Sequence, residues 1–125
     1  MVITLIGSTR FEPLFGLWTE ALTVCAGHAV FDLAVRGKTG QDWYDADTRE
    51  RLVASRRLKI QRSDAVLLLD HGGYMGGLSS EEWGFAASLG KVRYRLRTAH
   101  MLLPDTDIGR RYRASLAAWV PEEST

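Results

Sequence analysis

The chain opens on Val2-Ile3-Thr4-Leu5-Ile6, an unbroken apolar and β-branched run halted by Gly7-Ser8. A run of that length without polar alternation predicts a strand buried on both faces. Leu14, Leu17, Trp18, Ala21, Leu22 and Cys25 then recur at three- and four-residue spacing, one apolar face of a helix. Pro13 suits its first turn and Gly27 its end. Ala29 to Val35 predicts a second strand, and the polar stretch from Arg36 to Asp45, with Gly37, Gly40 and Asp42, a loop. Asp47 or Thr48 can cap a helix reaching about Arg62, although its apolar positions Leu52, Val53, Leu58 and Ile60 form no clean stripe. Ala65-Val66-Leu67-Leu68-Leu69 is the most strand-like run of all, ending in Asp70 and a glycine-rich loop from Gly72 to Gly77. Ser79 or Ser80 can cap a helix carrying Trp83, Phe85, Ala86, Ala87 and Leu89, closed by Gly90. Val92 to Leu96 reads as a fourth strand and His100 to Leu103 as a candidate fifth. Ile108, Tyr112, Leu116 and Trp119 mark a last helix before Pro121.

Strands alternating with helices predict βαβ units, hence a parallel, doubly wound α/β sheet of four or five strands with helices on both faces. The expected layout is one domain over residues 1–120 and a polar tail over 121–125. Ligands of such sheets gather at the carboxyl ends of the strands, where strand order reverses. Gly7 to Phe11, Asp32 to Trp43 and Asp70 to Ser80 are the loops that should meet there.

Composition narrows the function. At 125 residues the chain can build one core, and a formal net charge of +1 gives no bulk attraction to nucleic acid or an acidic membrane. A single cysteine, Cys25, cannot form an internal disulfide, and on the apolar helical face it reads as inert core. No apolar run approaches the roughly 20 residues that span a bilayer, and no signal-peptide pattern opens the chain, so a cytoplasmic protein is expected. His28, His71 and His100 have no metal-ligand spacing, so no metal or organic cofactor is expected. Arg56, Arg57, Lys59 and Arg62, like Arg110, Arg111 and Arg113, read as solvated basic helix faces, and nucleic acid is not expected as a partner.

Chemistry concentrates at three places. Gly7-Ser8-Thr9-Arg10 follows the first strand, where glycine permits close backbone approach, hydroxyls and N–H groups can hold phosphate oxygens, and Arg10 offers a cationic fork. The stretch Asp70 to Glu82 brings a strand end, a glycine-rich loop and a helix start together. There Glu82 can act on the anomeric carbon of a sugar, which becomes cation-like as its bond breaks. The same letters, Ser79 followed three residues later by Glu82, also spell a capping box. Tyr74 can stack on a base or pack its own loop. Asp70 can bind ribose hydroxyls, Asp32 can reach the same crevice if its strand ends early, and Asp64, before the third strand, reads as a turn residue at the opposite edge.

Taken in order, Gly7-Ser8-Thr9-Arg10-Phe11, Ser63-Asp64-Ala65-Val66-Leu67-Leu68-Leu69, Gly73-Tyr74-Met75-Gly76, Glu82-Trp83-Gly84-Phe85-Ala86 and Gly90-Lys91 resemble the nucleoside 2-deoxyribosyltransferase superfamily, closest to its short members. The resemblance spans about Met1 to Lys91. It implies a flavodoxin-like sheet, cleavage or exchange at a nucleoside N-glycosidic bond, and a homo-oligomer. It also implies that Glu82 is the nucleophile and that Gly7, Ser8 and Arg10 hold a 5′-phosphate, as in the related nucleotide hydrolases. The sequence departs from those hydrolases at Thr4, where they carry tyrosine, and at Arg56, which matches their catalytic aspartate. Leu78-Ser79-Ser80-Glu81 replaces the usual small residues ahead of the glutamate.

The expected substrate is thus a nucleoside or nucleoside 5′-monophosphate. Glu82 and Asp70 form the candidate catalytic pair, and Gly7, Ser8, Thr9, Arg10, Tyr74, Gly76 and Ser79 the candidate binding set. The alternative is a nucleotide-binding or sensing module that kept the pocket and lost the chemistry. A third reading is an interaction domain whose basic helices meet an acidic partner.

Overall fold

The computed structural model describes residues 1–8, 12–25, 27–32, 45–70, 77–97 and 122–123. In chain order these form β1 (Val2–Ile6), α1 (Glu12–Glu20) running on through a wider π-type turn (Ala21–Cys25), β2 (Ala29–Phe31), α2 (Ala46–Gln61), β3 (Ala65–Asp70), α3 (Gly77–Ser88), β4 (Val92–Arg97) and β5 (Glu122–Glu123). The strands make one sheet in the order β2-β1-β3-β4-β5. The first four are parallel, with registers Ile3↔Val30, Leu5↔Leu67 and Leu67↔Tyr94. This is the α/β architecture that the alternation predicted, in the strand order of flavodoxin-like sheets.

Two clusters fill the interior, sorted by the alternation of side chains along each strand. Ile3, Leu5, Leu67 and Leu69 pack with Phe15, Trp18, Ala21 and Leu22 from the first helical segment. Ile6, Val66 and Leu68 pack with Ile60 of α2 and Ala86 of α3. β3 is buried along its whole length, as its uninterrupted apolar run requires. Among the described residues no helix is long and apolar enough to cross a membrane.

Several boundaries differ from expectation. The cap of α2 is Asp45, not Asp47 or Thr48: its backbone is extended and its Oδ1 accepts the Thr48 N–H at 2.7 Å. Thr48, through its side chain first and then its backbone N–H, holds the Asp45 carboxyl below the usual aspartate range. A lowered folded-state value means stability gained above the ordinary aspartate pKa, about 3.9, and lost as pH falls through the folded value. Asp45→Ala should therefore lower the melting temperature at pH 7, with the gap to wild type closing below pH ~4; Asp45→Asn, an equally good cap, should keep most of the stability. Thermal melts across pH check this.

α3 begins at Gly77, so Ser79 lies inside its first turn and is not the cap. Of its predicted apolar stripe, Ala86 is buried, Trp83 and Phe85 are half-buried, and Ala87 and Leu89 face solvent. Asp64 sits at the amino edge of the sheet as expected. Its carboxylate accepts the Val2 N–H at 2.7 Å and its own N–H donates to the Val2 carbonyl at 2.8 Å. The stretch read as a polar tail supplies β5, which pairs antiparallel with β4 through Tyr94↔Glu123 and Arg95↔Glu122. The candidate strand at 100–103 and the predicted last helix lie outside the described residues.

Candidate functional site

The chain leaves β1 for α1, whose side chains join the Ile3–Leu5 cluster, and leaves β3 for α3, whose Ala86 joins the other. The two connections diverge, so the reversal point of strand order falls between β1 and β3. Gly7 stands there with φ +157°. A Cβ on it would lie 3.1 Å from the Leu69 carbonyl oxygen and 3.1 Å from the Phe15 ring. The sequence reading gave that missing side chain to a ligand; in the structure Leu69 and Phe15 take up the space. Ser8 follows β1 by two residues and Asp70 is the buried last residue of β3, so both stand at the carboxyl ends of the strands that flank the reversal point.

Glu82 lies below that rim, neither in water nor in a capping box. In α3 the buried residues are Ser79, Glu82 and Ala86, one inward face at helical spacing. There Glu82 meets Arg56 of α2. Arg56 Nε donates to Glu82 Oε1 at 3.0 Å and Nη2 to Oε2 at 3.0 Å, a two-pronged ion pair. The side chains are only 6% and 7% exposed. Nη2 also donates to the Leu5 carbonyl at 2.6 Å, and Nη1 to the Asp32 carbonyl at 3.2 Å. One guanidinium therefore ties the carboxyl ends of β1 and β2 to α3. A pair this well hydrogen-bonded offsets the several kcal/mol that burying each ion costs.

The Arg56 side chain corrects the reading of α2 as a solvated basic face. Arg57 and Arg62 are exposed, Lys59 is half-buried, and Arg56 is buried. Burial first, and then the Arg56 charge, push the Lys59 ammonium below the usual lysine range, while Asp32 and Glu82 pull it back. The Lys59 carbonyl accepts from the Ser63 hydroxyl at 2.8 Å. That donation leaves the buried Thr4 hydroxyl to donate to Ser63 Oγ. Thr4 is thus buried and hydrogen-bonded.

A second cluster, which sequence reasoning missed, adjoins Asp70. Arg95 Nε of β4 is 3.4 Å from Asp70 Oδ2. Trp83 of α3 lies under two guanidiniums, that of Arg93 at 4.7 Å and that of Arg95 at 5.6 Å from the ring centre. Half-buried Trp83 is therefore both a core contact and a stacking surface. The available signal was the alternation of Arg93 and Arg95, which puts like charges on one face of a strand. Arg57 likewise sits 5.0 Å over the Phe85 ring.

Among the described residues no group of histidine, cysteine and acidic side chains could hold a metal ion. His28 Nδ1 lies 3.1 Å from the chain's terminal amine, and burial, then that amine's charge, lower its pKa. Thr9, Arg10, His71, Tyr74, Gly76 and His100, together with the Cys25 side chain, lie outside the described residues. No protein-family model matches the chain, and no curated protein is significantly similar to it.

Proposed function

We propose that this chain is a nucleoside- or nucleotide-binding module of the α/β class, with its ligand at the rim between β1 and β3. Of the two readings drawn from the resemblance, binding without glycosidic chemistry is favoured by one observation: both oxygens of Glu82 are held by a buried guanidinium. A nucleophilic carboxylate must present an oxygen to the anomeric carbon, and a two-pronged arginine contact occupies both of its oxygens. The residue in the place of the partner acid is that same arginine. Loss of a positioned acid alone costs a glycosidic cleavage about 10²–10⁴-fold.

Ligand binding is supported by the parallel sheet with its reversal point, by Ser8 and Asp70 at that point, and by the resemblance of Gly7 to Arg10 to a phosphate loop. Ser8 and Arg10 would hold phosphate or sugar hydroxyls, Asp70 the ribose, and Tyr74 would cover the base. A panel of nucleosides and nucleoside 5′-monophosphates, followed by calorimetry and by chromatographic assay of free base, tests the reading. Saturable binding with no free base is the expected result. Release of base that disappears in Glu82→Gln would restore the enzymatic reading and overturn this one.

A further inference from the structure

We propose that the outer side of β4 docks an extended acidic segment of a partner protein, which joins the sheet as an antiparallel strand. All six residues of β4 pair with β3 on the inner side. On the outer side, among the described residues, β5 pairs only with Tyr94 and Arg95. Val92 and Arg93 therefore present backbone that no described strand completes. Such a side takes on a further strand through main-chain hydrogen bonds, and side chains at alternate positions select which strand it is.

The side chains of β4 specify the occupant. Residues opposite one another across a strand pair share one face of the sheet. Arg93 and Arg95 lie on the face covered by α3, over the Trp83 ring, whereas Tyr94 lies on the other and packs against the Ile3–Leu5 cluster. Arg95 has the Asp70 carboxylate at 3.4 Å, but among the described residues no carboxylate is paired with Arg93. An incoming antiparallel strand thus meets cation, aromatic ring and cation in turn, and its complement is acid, apolar residue, acid. β5 is the chain's own partial version of that strand. It runs antiparallel, and Glu122 stands opposite Arg95 in register. It departs at the next position, where a second acid, Glu123, stands opposite Tyr94, and as described it stops short of Arg93. A partner with the full alternation keeps the match at Arg95, adds one at Arg93 and sets an apolar residue opposite Tyr94. Two residues of β5 are a short resident, which a longer strand can displace.

Fluorescence anisotropy of the full-length protein with labelled hexapeptides tests this. Thr-Glu-Val-Glu-Val-Thr carries the alternation, Thr-Glu-Glu-Val-Val-Thr the same residues without it, and Thr-Lys-Val-Lys-Val-Thr the opposite charge. Wild type should bind the first about fivefold or more tighter than either of the others, the scale of two opposite-charge pairs across strands. Arg93→Gln should cut that preference to about twofold, one pair being lost. Arg93→Lys, which keeps the charge, should retain it and covers the case of a poorly folded glutamine variant. Glu122→Lys sets like charges opposite one another at Arg95 and loosens β5, so it should tighten binding of the alternating peptide severalfold. Equal affinity for the two acidic peptides, or a preference untouched by Arg93→Gln, overturns the proposal. Failure of both wild type and Glu122→Lys to bind any peptide overturns it as well, and a dimer in sedimentation would then assign this side of β4 to a second copy.

Discussion

Replacing Arg56 with methionine is expected to lower the unfolding free energy by about 3–5 kcal/mol, the usual cost of leaving one member of a buried ion pair behind. The substitution keeps much of the side-chain volume, so the loss comes from Glu82, whose two oxygens lose both guanidinium donors. The Leu5 and Asp32 carbonyls lose theirs as well. Urea denaturation of the variant and wild type at pH 7 reads the loss. Adding Glu82→Leu to Arg56→Met should recover part of the loss, because no charge then remains buried. A double variant as unstable as the sum of the two singles would show that the pair itself contributes nothing.

Gly7→Ala is the second large effect, expected at about 1–3 kcal/mol from forced close contacts in a packed region. Two of the atoms that a Cβ would meet cannot easily yield. The Leu69 carbonyl belongs to the central strand of the sheet, and the Phe15 ring is completely buried. The φ of +157° adds strain for any residue with a side chain. Gly84 provides the contrast. It sits within α3 with nothing inside 4 Å of a built Cβ, so alanine there should be neutral or stabilising by up to about 1 kcal/mol. Equilibrium denaturation of both variants, with unchanged denaturant slopes, distinguishes local crowding at Gly7 from a general intolerance of substitution.

The fold was legible because its strands advertise themselves. Val2–Ile6 and Ala65–Asp70 are buried on both sides, so their sequences carry continuous apolar runs that no surface element would have. The first helix was equally plain, since Trp18, Ala21 and Leu22 face the core at regular spacing. α2 was harder for a specific reason. Its two fully inward positions are Arg56 and Ile60, so an arginine interrupts the stripe where a hydrophobic residue would have marked the face. The same substitution of charge for apolar character hid the nature of Glu82. Spacing placed it near the rim but said nothing about a partner 26 residues earlier on another helix. Pairwise chemistry between distant segments leaves no local signal, and Asp70 with Arg95 is a second instance.

β4 stands next to the border of the sheet, and beyond it β5 contributes only two residues. Among the described residues β5 meets β4 only at Tyr94 and Arg95, so Val92 and Arg93 have no strand partner on that side, and such a border is where a stray strand pairs. Charge on an edge opposes that pairing, and Arg93 puts a cation there. Neutralising Arg93 would be expected to make the protein prone to aggregate before it made it unstable.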